Sequence, residues 1–113
     1  MKLQEHQLQS SCVRWFRYQY PNEVLFAVPN GGARSATTGA MLKKEGVMAG
    51  VSDLILLHPA NGYHGLMIEM KTKEGKLTTS QRIFEKKATK KGYLYSVCRS
   101  FDEFRQLVEW YLS

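Results

Sequence analysis

The chain has 113 residues, 43% of them hydrophobic, and no Pro/Gly/Ser-rich linker, so it is sized for one domain over residues 1–113 with a modest core. Its longest aliphatic run, Leu54–Leu57, is too short to cross a bilayer, and its opening MKLQEHQLQSS holds no apolar signal core; both predict a soluble, intracellular protein. Sixteen Lys/Arg against ten Asp/Glu leave a formal charge of +6, an excess that suits a polyanionic partner.

Leu8, Cys12, Trp15 or Phe16, and Gln19 recur at helical spacing and predict a helix over 3–20, ended by Pro21-Asn22. A strand is expected at 24–28, closed by Pro29-Asn30-Gly31-Gly32, and a short helix at 37–45 with Gly46 as its stop. Strands at 53–58 and 65–71, a helix over about 80–91, a strand at 93–98 and a helix at 101–112 complete the chain. Thr78-x-x-Gln81 and Ser100-x-x-Glu103 both fit the reciprocal capping box that starts a helix. The order is α β α β β α β α, an α/β fold with a small mixed sheet and helices on both faces.

The stretch MIEMKTK, residues 67–73, sets charges inside an apolar strand. Strand side chains alternate, so Glu69 and Lys71 share one face while Ile68 and Met70 face the core. The preceding turn decides whether Asp53 joins them. A two-residue Asn61-Gly62 loop would set Asp53 opposite Met70. A three-residue Ala60-Asn61-Gly62 loop, with Gly62 left-handed and a bulge, sets it opposite Glu69. In the second case two carboxylates and one ammonium converge, an arrangement unfavourable for stability alone because like charges face each other. Asp53, Glu69 and a backbone carbonyl would then suit a hard divalent cation such as Mg²⁺ or Mn²⁺, with Lys71 polarising a phosphate.

Residues 71–91 carry eight of the basic side chains against Glu74 and Glu85, which accounts for the whole net excess. Such a stripe is the footprint expected for nucleic acid, and also that of a solvated lysine-rich helix face. Cys12 and Cys98 fall in no CxxC or Cys/His pair and read as buried thiols. His6, His58 and His64 show no convergent ligand spacing. Trp15, Phe16, Phe104, Leu107, Val108, Tyr111 and Leu112 fit core or partner-facing stripes.

GVSDLILL at 50–57 followed by IEMKTKEGKLTTSQ at 68–81 resembles the VRR-NUC branch of the PD-(D/E)XK nucleases, a restriction-endonuclease-like fold. The first helix with Glu5 and Gln9, and PNGG at 29–32, are similar to features of compact phage and bacterial members. Ser52 departs from the pattern, which often has proline before the aspartate. The resemblance implies Asp53, Glu69, Lys71 and Gln81 as the catalytic set, and Asp53, Glu69 and the Met70 carbonyl as ligands of Mg²⁺ or Mn²⁺. Glu5 is a further candidate ligand. Lys73, Lys76, Arg82, Lys86, Lys87, Lys90 and Arg34 would hold DNA.

The implied activity is a metal-dependent, structure-selective DNA endonuclease of the Holliday-junction resolvase type, in the cytoplasm of a bacterial or phage-infected host cell. Cutting a two-fold symmetric junction needs two sites, so a homodimer through the apolar stripes of the terminal helices is expected. A non-catalytic nucleic-acid-binding domain and a nuclease acting on other DNA structures or on RNA are the alternatives.

Overall fold

The computed structural model describes residues 3–29 and 35–113. Its elements are α1 (Leu3–Gln19), β1 (Leu25–Ala27), α2 (Ala36–Lys44), β2 (Leu54–Leu56), β3 (Leu66–Met70), α3 (Thr79–Lys90), β4 (Leu94–Cys98) and α4 (Phe101–Tyr111), in the expected order. The strands are shorter than their apolar runs suggest, yet the pairing continues past their ends. Val28 N–H donates to Asp53 O at 2.9 Å, Leu57 N–H to Val24 O at 2.9 Å and Lys71 N–H to Cys98 O at 3.0 Å.

The sheet runs β1-β2-β3-β4. The first three strands are antiparallel and β4 lies parallel to β3, with α3 as the crossover a parallel pair requires. One face carries Leu25, Leu54, Leu56, Leu66, Ile68, Met70 and Cys98, packed with Cys12 and Phe16 of α1 and Phe104, Val108 and Tyr111 of α4, all of them buried. The Trp15 ring meets Tyr20, Phe101 and Phe104 edge-on, with centroids 6.0, 5.7 and 6.2 Å away. The apolar stripes of the terminal helices are therefore spent inside this chain, which removes them as the dimer surface the sequence suggested. Cys12 and Cys98 are free, buried thiols, pushed up to about 11 and about 12 by burial. No helix among the described residues is long and apolar enough to cross a membrane.

The hairpin between β2 and β3 departs from both expectations. Asn61 (φ 54°) and Gly62 (φ 82°) form a two-residue turn closed by Ala60 and Tyr63, each donating its N–H to the other's carbonyl, at 3.2 and 2.8 Å. The strands nevertheless pair Leu54 with Ile68, Ile55 with Met67 and Leu56 with Leu66, the register expected of the longer loop. The difference is absorbed in the arms, since residues 57–59 lie between ladder and turn on one side and only 64–65 on the other. Those arms bond elsewhere. Pro59 has no N–H to give, His58 O accepts from Tyr111 Oη at 2.7 Å, and His64 N–H donates to Gly92 O at 2.9 Å. Asn61 Nδ2 donates to Tyr111 O at 3.1 Å, so α4 fixes the turn whose offset sets the register.

Candidate active site

The sheet face opposite the core carries the charged residues. Continuing the β2–β3 register by one pair sets Asp53 opposite Glu69, and Lys71 follows Glu69 on the same face. The three come together. Lys71 Nζ lies 3.7 Å from Glu69 Oε2, and Asp53 is near enough for its negative charge to act on the Glu69 carboxyl. Asp53 Oδ2 accepts the Met70 N–H at 2.8 Å, which ties the carboxylate across to the end of β3.

Glu69 is only 2% exposed. Its Oε2 accepts from Gln81 Nε2 at 3.0 Å, and its buried Oε1 has no hydrogen-bond partner among the described residues. Burial first, and then the negative charge of Asp53, push the carboxyl up to about 8, against the opposing pull of Lys71. An orphaned buried carboxylate oxygen is costly. A hard divalent cation, which prefers oxygen donors, fits both that orphan and the paired acids.

Local chemistry explains why these groups meet. Gly50 holds φ +87°, and a Cβ there would come 2.2 Å from Ser80 O, so the segment leading into Asp53 lies directly on the first turn of α3. Ser52, fully buried, donates from Oγ to Leu54 O at 3.2 Å and steadies the same approach. On the α3 side Gln81 serves two roles at once. Its Oε1 accepts the Thr78 N–H at 2.9 Å and its backbone N–H donates to Thr78 Oγ1 at 3.2 Å, a complete capping box, while Nε2 reaches Glu69. At α4 the box is incomplete: Ser100 Oγ accepts the Glu103 N–H, but Glu103 Oε1 takes the N–H of Arg99 rather than that of the cap residue.

Glu5 lies in the first turn of α1, a helix that packs against α4 and β3, and no group of three His, Cys, Asp or Glu side chains able to hold a metal forms among the described residues. His58 Nδ1 pairs with Glu23 Oε1 at 3.0 Å, and His64 packs against the Tyr93 ring. Lys73 and Lys76 are exposed in the turn after β3, and Arg82, Lys86, Lys87 and Lys90 are exposed on α3. Arg82, Lys86 and Lys90, one helical turn apart in sequence, line a shallow groove with Glu85 and Thr89. The helix that carries them covers the face bearing Glu69, with Phe84 against Tyr95 at 6.2 Å between centroids. Arg34 and Asn30–Gly32 lie outside the described residues.

The family model for the VRR-NUC domain matches residues 1–102. The chain belongs to the VRR-NUC family. Its members are nuclease-type domains, and the four strands, the acidic pair and the first two residues of α4 lie within the matched span. A solved structure of a VRR-NUC domain protein superposes with a TM-score of 0.81, covering 99% of this chain and 90% of that one at 24% identity, which establishes a shared fold. No curated protein matches the chain.

Two residues at this VRR-NUC site were not legible in the sequence. Tyr95 stands on the same face as Glu69, in the pair with Met67, and its buried hydroxyl has no partner among the described residues. Burial, and then the charges of Glu69, Glu85 and Asp53, raise it well above the ordinary tyrosine range. Finding it requires the parallel β3–β4 register, which no local pattern encodes. Arg99 Nη1 donates to Thr72 O at 2.8 Å and also to Gly75 O, in the turn that follows Lys71.

Proposed function

We propose that this chain is a Mg²⁺- or Mn²⁺-dependent endodeoxyribonuclease whose VRR-NUC domain hydrolyses phosphodiesters in branched DNA. The observation that carries the reading is Glu69: a carboxylate kept buried beside a second one, with one oxygen orphaned, which a protein selected only for binding DNA has no reason to retain. Family membership supports a nuclease with DNA as its substrate.

Asp53, Glu69 and the Met70 carbonyl would hold the ion. When bound, it supplies Lewis-acid polarisation of the phosphate and a lower cost for ionising water. The chain's own groups prepare for this. The Met70 N–H fixes one oxygen of Asp53, and Gln81 fixes one oxygen of Glu69, so neither carboxylate has to be ordered when substrate arrives. Lys71, 8% exposed and steered by Glu69, would donate to a non-bridging phosphate oxygen or to the attacking water and stabilise the charge that grows on phosphorus-bound oxygen.

Lys73, Lys76 and the α3 stripe would hold the sugar–phosphate backbone. Backbone contact reads shape rather than sequence, so selectivity should be for flaps or four-way junctions. One site per chain and two strands to cut imply a C₂ homodimer. With the helix stripes buried, its interface would use other surface, such as the exposed Trp110 of α4 and Tyr18 of α1.

The test incubates the purified protein with labelled linear, flap and four-way-junction DNA, with and without Mn²⁺, beside Lys71→Ala. Metal-dependent cutting of branched DNA that the variant loses is the expected result; tight binding with no cutting under any condition would leave only a DNA-binding domain. Gel filtration of the same sample reports the dimer.

A further inference from the structure

We propose that Arg99 is a positioning residue for Lys71, holding the turn that walls the lysine side chain and so aiming its ammonium at the reacting phosphate. The inference rests on the nuclease reading above. The geometry begins at the end of β3, where the Lys71 N–H donates to Cys98 O at 3.0 Å, on the residue just before Arg99. The chain then turns at Thr72–Gly75, closed by the Gly75 N–H on Thr72 O at 3.1 Å.

Gly75 lies so near the lysine stem that a Cβ there would be 3.4 Å from Lys71 Cδ and 3.2 Å from Thr72 Oγ1. Arg99 Nη1 donates to Thr72 O at 2.8 Å and to Gly75 O, with Lys73 O at 3.5 Å. It thereby grips both ends of the turn from one nitrogen. The strut is anchored in its turn: the Arg99 N–H donates to Glu103 Oε1 at 2.8 Å, at the start of α4.

A free lysine stem samples many rotamers. This side chain is only 10% exposed, with its Nζ 3.7 Å from Glu69 Oε2 and Gly75 of the turn beside its stem. No ion pair claims the guanidinium among the described residues; its charge is spent on main-chain carbonyls. A surface arginine kept for solubility or DNA contact would point outward, whereas this one points back into its own fold.

The experiment compares wild type, Arg99→Ala and Arg99→Gln in steady-state cleavage with Mn²⁺, with added guanidinium ion, and in amide hydrogen exchange without metal. Expected are a fall in kcat of about 10- to 100-fold with KM within about threefold, because misplacing a catalytic group slows chemistry without weakening binding. Millimolar guanidinium should restore part of the kcat of Arg99→Ala, and the Gly75 amide should exchange at least about tenfold faster while the β3–β4 amides do not. An unchanged kcat in a folded variant, or a raised KM at full kcat, overturns the proposal. If Arg99→Ala does not fold, Arg99→Gln decides by the same criteria. If wild type cuts nothing, the nuclease reading has failed; if wild type cuts and Gly75 exchange is unmoved by the substitutions, only the role of Arg99 has.

Discussion

Replacing Glu69 with glutamine separates the cost of the acidic pair from its use. The amide oxygen can keep the hydrogen bond from Gln81, and the amide nitrogen takes the place of the orphaned Oε1. The wild-type carboxyl sits at about 8 in the folded chain against an ordinary 4.5. Because the folded value is the higher one, folding is favoured while the group is protonated. Its contribution is full below about pH 4.5, falls as pH rises and is gone above about pH 8. At about 1.36 kcal/mol per tenfold change in proton affinity, the interval caps the loss at roughly 4–5 kcal/mol. Sharing of the proton with Asp53 reduces this, so about 2–3 kcal/mol is expected. Glu69→Gln should therefore melt with wild type at pH 4.5 and about 8–12 °C above it at pH 8 in metal-free buffer, by calorimetry. Mn²⁺ should then raise the melting temperature of wild type more at pH 8 than at pH 6, and leave that of the variant nearly unchanged. Two melting curves that run parallel from pH 4.5 to 8.5 would refute the buried, proton-hungry carboxylate. An equal response to Mn²⁺ in both proteins would refute its role as a ligand.

Gly50→Ala forces a side chain onto Ser80 O at a backbone angle that alanine resists, and should lower the unfolding free energy from denaturant titration by about 3 kcal/mol or more; an unperturbed value would mean that the Asp53 segment does not lie on α3 as described. Exchanging Lys86 and Lys90 for glutamate should flatten the log–log salt dependence of DNA binding by about 0.9 per lost phosphate contact while kcat at saturating DNA stays within about threefold, and an unchanged slope would take α3 out of the DNA path. Tyr95→Phe removes a buried hydroxyl without a partner and should raise stability by about 1 kcal/mol by chemical denaturation; a loss of similar size would show that the hydroxyl is held in solution.

Most of the architecture could be read locally because its elements announce themselves. Thr78 and Gln81 cap α3 as a complete box, and the alternation of Leu66, Ile68 and Met70 with Met67 and Glu69 sorts β3 into two faces without any tertiary knowledge. What failed is instructive in the same terms. The register of Asp53 against Glu69 was anticipated for the wrong reason: the Asn61-Gly62 turn is the short one, and the extra residue sits where Pro59 cannot pair and Tyr111 takes the carbonyl of His58. Only α4, more than fifty residues away, supplies that partner. Apolar stripes on α1 and α4 were equally compatible with core and interface, since periodicity reports that a face is covered and never by what.

The site extends this division between local and distant information. Asp53, Glu69 and Lys71 stand out because charges inside an apolar strand violate the pattern around them, and such violations concentrate where a fold trades stability for chemistry. The groups that hold those three do not violate anything. Gln81 looks like a cap because it is one, and only its free amide nitrogen reaches Glu69. Arg99 looks like one more basic residue before a helix, and only the closure of β4 beside β3 turns its guanidinium onto the Thr72–Gly75 turn. Groups that would do chemistry are thus conspicuous by their cost, whereas the groups that aim them satisfy ordinary structural rules, and their second partner exists only once the chain has folded.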